Sequence, residues 1–217
     1  MSHILGEIRP AQFPTRQILT HTENALRKSF RALPSENKIS IFLFPTFSSF
    51  TKEKLNGVDG FTPYRDVFHL YLHPAPKDEE KLLKEIAYTT AHEYSHAVRF
   101  QCVPISYSYR LIDGLISEGL AEYFRKEVLG GAKSAFTKAL GPLEAKQIFQ
   151  QLKPLLWSKS SKLYNEVFYK DDKYPLWTGY SIGYQIVHSF RQKNPKRTWA
   201  AIIQMKAEDI FRKSGWM

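Results

Sequence analysis

The chain of 217 residues contains a single cysteine, Cys102, which excludes an internal disulfide. It has no run of about 18 apolar residues, so no membrane-spanning helix is expected. The opening stretch, Met1 to Pro10, lacks the apolar block of a secretory signal. These absences together suggest a cytoplasmic, reducing setting. There are no internal repeats and no low-complexity tracts, which excludes solenoid and tract-based architectures. The net charge of +10 is not gathered into a long basic block but scattered from Arg27 and Lys28 to Arg212 and Lys213. No nucleic-acid-binding motif accompanies it, so no nucleic-acid partner is expected and most of this charge reads as solvated surface. Apolar material is plentiful: 43% hydrophobic and 14% aromatic residues support a sizeable core and argue against disorder.

Periodicity predicts an α+β protein with its sheet near the N-terminus. Thr15 to Leu33 reads as a helix and Lys38 to Phe44 as a strand stopped by Pro45. Residues 46–64, with Gly57, Gly60 and Pro63, read as a loop, followed by a strand over 66–73. Leu82 to Phe100 then repeats apolar residues at helical spacing, with Asp78, Glu79 and Glu80 favourably placed at its start. Residues 104–108 read as a connecting loop and Arg110 to Val128 as a second long helix. Beyond residue 130 the pattern is helical: 133–139, 142–157, 162–170, 180–192 and 196–212. The expected organisation is a single domain over 1–217, with an α/β lobe (1–76), two central helices (77–130) and a helical lobe (131–217).

The most informative stretch is His92-Glu93-Tyr94-Ser95-His96. Two histidines four apart lie on one face of a helix, one turn above the other. That spacing lets both imidazoles bind one Zn²⁺, with the intervening glutamate beside the open coordination position. The helix is apolar enough to be mostly buried, and two buried imidazoles and a buried carboxylate need partners. A metal supplies them together. It also lowers the pKa of a water toward neutrality, which points to a metal-dependent hydrolase, most simply a peptidase.

A catalytic zinc site needs a third protein ligand. Where one hydrolase pattern places a glycine and a third histidine, this chain has Arg99 and Cys102, so that pattern fails. Cys102 reads as a small buried apolar residue. The next histidine is His188, and Glu118, 22 residues after His96, is the better candidate. It lies on the second long helix near one stripe with Leu111, Leu115, Glu122 and Val128, and antiparallel packing of the two helices would return it to the metal. Glu122, one turn on, is placed to accept a hydrogen bond from the non-metal nitrogen of a ligand histidine.

His92-Glu93-x-x-His96 followed by Glu118-Gly119-Leu120-Ala121-Glu122 resembles the gluzincin metallopeptidases. The runs Ala91–His96, Ile116–Phe124 and Gly179–Val187, in that order, resemble a bacterial family of unknown function described as predicted zinc-dependent proteases. The resemblance extends from about residue 65 to the C-terminus. It implies a zincin-like fold with the metal between the two lobes, one Zn²⁺ per chain on His92, His96 and Glu118, and a peptide or protein substrate. Glu93 would be the general base, taking a proton from the attacking water and passing it to the leaving amine. Gluzincins often draw an oxyanion donor from a later segment; here Tyr180, Tyr184 and His188 are candidates, sharing one helical face. His188 is a weak candidate as metal ligand, because Glu118 completes the set. Such peptidases often add extended substrate to an edge strand, and Val67–His73 is the expected strand. His69 and His73 within it are too far apart on a strand to share a metal and read as ordinary sheet-face residues.

The expected function is a zinc-dependent peptidase. The competing expectation is a catalytically silent zinc-binding scaffold or chaperone-like module on the same fold, which retention of Glu93 disfavours.

Overall fold

The computed structural model describes residues 14–103, 109–131 and 134–216. They form two compact units of a mixed α+β chain: residues 14–101 with 127–130, and residues 102–103 and 109–126 with 131 and 134–216.

The first unit opens with α1 (Thr15–Ala32), whose buried Ile18, Thr22, Ala25 and Ser29 recur at helical spacing. It ends at Leu33, ahead of Pro34, where the helical conformation is disfavoured. The segment expected as a loop over 46–64 instead contains two elements. α2 (Ser49–Lys54) is capped by the Ser48 hydroxyl, which accepts from the Thr51 N–H at 3.1 Å. A left-handed turn at Asn56 (φ 52°) and Gly57 (φ 85°) then leads into β2 (Val58–Tyr64). Gly57 also sits where an added Cβ would lie 2.9 Å from Leu82 Cδ1.

β2 pairs antiparallel with β3 (Val67–Leu72), and β3 pairs parallel with β1 (Ser40–Pro45), giving the order β1-β3-β2. This corrects the edge-strand expectation. Val67–Leu72 is the central strand, bonded on both sides, because β2 forms from residues whose glycines and proline look like loop punctuation. Proline is tolerated in β2 because the strand is an edge and its register shifts between Phe61 and Tyr64, around Pro63. β3 buries Phe68, Leu70 and Leu72 on one face. On the other, His69 packs edge-on against Phe42 and Phe44, with ring centroids 5.8 and 5.2 Å away. The Nδ1 of His73 accepts from the Ala75 N–H at 3.1 Å. Both histidines thus serve as sheet-face and turn residues.

α3 (Glu79–Cys102) carries the motif and runs slightly longer at both ends than periodicity predicts. The Asp78 carboxylate accepts from the Lys81 N–H at 3.0 Å and starts it, with Glu79 and Glu80 in the first turn. The Tyr94 hydroxyl donates to the Leu33 carbonyl at 2.7 Å, pinning α3 to the end of α1. Cys102, the last residue of α3, is exposed, not buried as expected.

In the second unit, α4 (Leu111–Leu129, whose last three residues belong to the first unit) is followed by α5 (Ala135–Lys138), α6 (Pro142–Leu152), α7 (Ser161–Phe168), α8 (Thr178–Lys193), α9 (Trp199–Ile203) and α10 (Ala207–Ser214). The expected 104–108 loop lies outside the described residues. The expected helix over 142–157 tightens into a 3₁₀ turn at Lys153–Leu155, where Pro154 cannot donate an intrahelical bond. The expected helix over 196–212 is two. Thr198 caps α9 by accepting from the Ala201 N–H, and Lys206 then adopts an extended conformation (ψ 148°) before α10. No proline or glycine marks that break.

α4 and α8 cross with their backbones in contact at Gly119 and Gly183. A Cβ on Gly183 would overlap the Leu115 carbonyl oxygen and lie 3.2 Å from the Gly119 nitrogen, and one on Gly119 would overlap the Gly183 carbonyl. The obstacle is backbone on both sides, which no rotamer change relieves. Gly183→Ala is therefore expected to cost about 3 kcal/mol, read as a lower midpoint in urea unfolding at unchanged slope.

Candidate metal centre

His92 and His96 stand one turn apart on α3, with their Nε2 atoms 3.0 Å from one another. His92 is half-buried and His96 is buried. Two ligands bound tetrahedrally at ordinary zinc–nitrogen distances would be about 3.3 Å apart, so the rings already converge as a shared metal requires. Phe100 stacks on His96, with centroids 5.9 Å apart and planes 22° from parallel, and limits the ring's freedom to turn away. Among the described residues, Glu118, half-buried on α4, is the third residue that could hold a metal ion together with His92 and His96. Two imidazole nitrogens and a carboxylate are a donor set that suits Zn²⁺. Cys102 and His188 do not join the group, among the described residues.

Glu93 is buried at 5% exposure and points toward β2. The Thr62 hydroxyl donates to its Oε2 at 2.6 Å and lies 3.2 Å from its backbone carbonyl. Gly60, two residues earlier, leaves space for the same side chain: a Cβ there would overlap Oε1 and approach Cγ at 2.7 Å. Neither residue was anticipated from sequence. The available signal was a glycine two residues before a threonine within an otherwise strand-like run, which reads equally as loop.

Glu122 is 2% exposed. It accepts from Arg125 Nε at 2.9 Å and from the Ser134 hydroxyl at 2.5 Å. With Arg125 at 4% exposure, this is a buried ion pair between charges three residues apart on one helix.

Tyr180, Tyr184 and His188 all lie on α8, as the four-residue spacing predicts, but in different surroundings. Tyr180 occupies the first turn, just after Trp177, whose left-handed backbone (φ 66°) is supported by edge contact with Phe136 at 4.9 Å. Phe136 also stacks on the Tyr180 ring at 4.9 Å. Burial first, and then the negative field of Glu118, hold the Tyr180 phenol well above its ordinary pKa. Tyr164 on α7 is pushed up by the same two causes in the same order. Its ring fits against Gly114 of α4, where a Cβ would lie 2.5 Å from Cε2. Both phenols therefore keep their protons near Glu118, and Tyr164 was not anticipated. Tyr184 is buried, its hydroxyl accepting from Lys126 Nζ at 3.0 Å, while His188 stacks parallel to it at 6.2 Å.

A family model described as "Predicted Zn-dependent protease" matches residues 18–212. The chain belongs to this DUF2268 family of predicted Zn-dependent proteases. The match reaches further toward the N-terminus than the resemblance read from the sequence motifs, taking in α1 and the whole sheet. The family description implies zinc dependence and peptide substrates. No curated protein and no solved structure matches the chain. None of the described helices is long and apolar enough to cross a membrane.

Proposed function

We propose that the protein is a zinc-dependent peptidase of gluzincin type, with His92, His96 and Glu118 as ligands and Glu93 as general base. The observation that carries this reading is the convergence of two imidazoles, with Nε2 atoms 3.0 Å apart, on a helix that also holds a buried glutamate next to the first histidine. A zinc ion on these donors would supply Lewis acidity toward a peptide carbonyl and toward water. Glu93 takes the proton from the attacking water and passes it to the nitrogen of the departing amine. Tyr180, protonated and close to Glu118, is the favoured donor to the oxygen of the tetrahedral intermediate. The Tyr184 hydroxyl binds the Lys126 ammonium and the Tyr180 hydroxyl is hydrogen-bonded with Tyr169, so it is the field of Glu118 at Tyr180 that favours Tyr180.

An extended substrate would add to the edge of β2 that no strand pairs among the described residues, beside Glu93, and not to β3, the expected strand. The test is hydrolysis of casein and of a mixed peptide library followed by mass spectrometry. Zinc-loaded protein is expected to cleave, to lose all cleavage on treatment with a chelator, and to regain it on adding zinc. Cleavage that survives full metal removal, or its absence from zinc-loaded protein, would overturn the reading.

A further inference from the structure

We propose that Thr62 is a positioning residue for Glu93, and that β2 is shaped around Thr62 and Gly60 to hold this one carboxylate. The inference rests on the peptidase reading for its catalytic consequence, but the geometry lies wholly within the first unit.

Residues 60 and 62 are two apart on a strand and therefore face the same side. That side meets α3 at Glu93. Gly60 removes a side chain where Oε1 and Cγ of Glu93 sit, and where Thr89 Cγ2 would be 2.6 Å from a Cβ. Thr62 places a hydroxyl 2.6 Å from Oε2. Both Thr62 and Glu93 are buried, at 7% and 5% exposure, so water does not compete freely for this bond. The register shift between Phe61 and Tyr64 falls on the Thr62-Pro63 step. Bulges re-aim side chains next to functional sites, and here the side chain affected is the one that reaches Glu93.

The mechanistic consequence follows from the carboxylate having two oxygens. Thr62 engages Oε2 and fixes the side-chain torsions, so Oε1 stays oriented to receive the proton of the attacking water. Without the hydroxyl the carboxylate can turn about its own torsions, and small displacements of a reacting group are costly in rate. Substrate binding does not use this bond, so the loss falls on turnover and not on affinity.

Thr62→Val replaces the hydroxyl by a methyl of similar size. With the best fluorogenic peptide from the library, kcat is expected to fall about tenfold to a hundredfold, the range for a hydrogen bond to a charged group. KM should stay within about twofold, with zinc content unchanged and the melting temperature somewhat lower, because the buried Glu93 carboxylate loses one partner. Thr62→Ser, which keeps the hydroxyl, should restore kcat to within about threefold. Gly60→Ala should lower kcat like Thr62→Val, by displacing the same carboxylate. Crystal structures provide a readout independent of turnover: Glu93 keeps its rotamer in wild type and Thr62→Ser, and leaves it in Thr62→Val. Wild-type kcat in Thr62→Val, equal losses in the Val and Ser variants, or an unmoved Glu93 rotamer in Thr62→Val would each overturn the proposal. If wild type and Glu93→Gln hydrolyse peptide equally, the peptidase reading fails, while the rotamer comparison still decides whether Thr62 positions Glu93.

Discussion

Glu93→Gln is expected to lose about 10²–10⁴-fold in kcat, the usual worth of a general base, and to keep its zinc. The amide has nearly the shape of the carboxylate and can still accept from Thr62 through its oxygen. It cannot take a proton from water at any accessible pH. Because Glu93 is not one of the three proposed metal donors, metal binding and folding should be untouched. Elemental analysis at wild-type stoichiometry beside a collapsed turnover number is the result that supports the assignment. Retained turnover would remove Glu93 from the mechanism. Turnover and zinc lost together would mean that the variant perturbs the metal centre itself, leaving the base unassigned. The same comparison separates a peptidase from a metal-loaded but silent scaffold, because a scaffold has no turnover for the substitution to remove.

Glu118→Ala is expected to weaken zinc binding by at least about a hundredfold, the upper range already seen for residues that only support a ligand, and to abolish hydrolysis. Two imidazoles four apart remain, but they leave two coordination positions to water where a catalytic site leaves one. His92→Ala should behave the same way. Thermal melting supplies a readout independent of activity. Zinc in excess stabilises the native state by mass action, about 4 kcal/mol at a thousand times Kd but only about 1.4 kcal/mol once Kd is a hundredfold weaker, so the zinc-dependent rise in Tm expected of wild type should shrink to about a third or less in both variants. Full zinc occupancy in Glu118→Ala would show that another side chain completes the set and would end the ligand assignment.

The motif on α3 was legible because its geometry is local. Residues four apart on a helix share a face whatever the rest of the chain does, and the apolar spacing from Leu82 to Val98 identifies the helix. Glu118 was legible as a candidate for the same reason, as a carboxylate on the apolar stripe of the next long helix. The missed elements share the opposite property. β2 was hidden because Gly60 and Pro63 each carry a meaning that only a distant residue supplies: Gly60 is small because Glu93 occupies the space, and Pro63 is permitted because, among the described residues, no strand pairs with the outer edge of β2. The error about β3 followed directly, since a strand cannot be recognised as central while one neighbour is read as loop. The break between α9 and α10 left no local mark, because Lys206 turns the chain without glycine or proline.

The order of the residues determined by itself the histidine pair of the candidate metal site, the candidate base between them, the helices that carry them and the family to which the chain belongs. Each of these depends on repeat spacing along one element, and spacing is written in the chain. Tertiary structure alone decided which strand lies beside Glu93, which hydroxyl grips its carboxylate, and which of the α8 tyrosines feels Glu118. Those pairings join residues 31 or more positions apart in sequence. No periodicity encodes them, because they are set by which surfaces meet within each folded unit and by the backbone that a missing Cβ allows to approach.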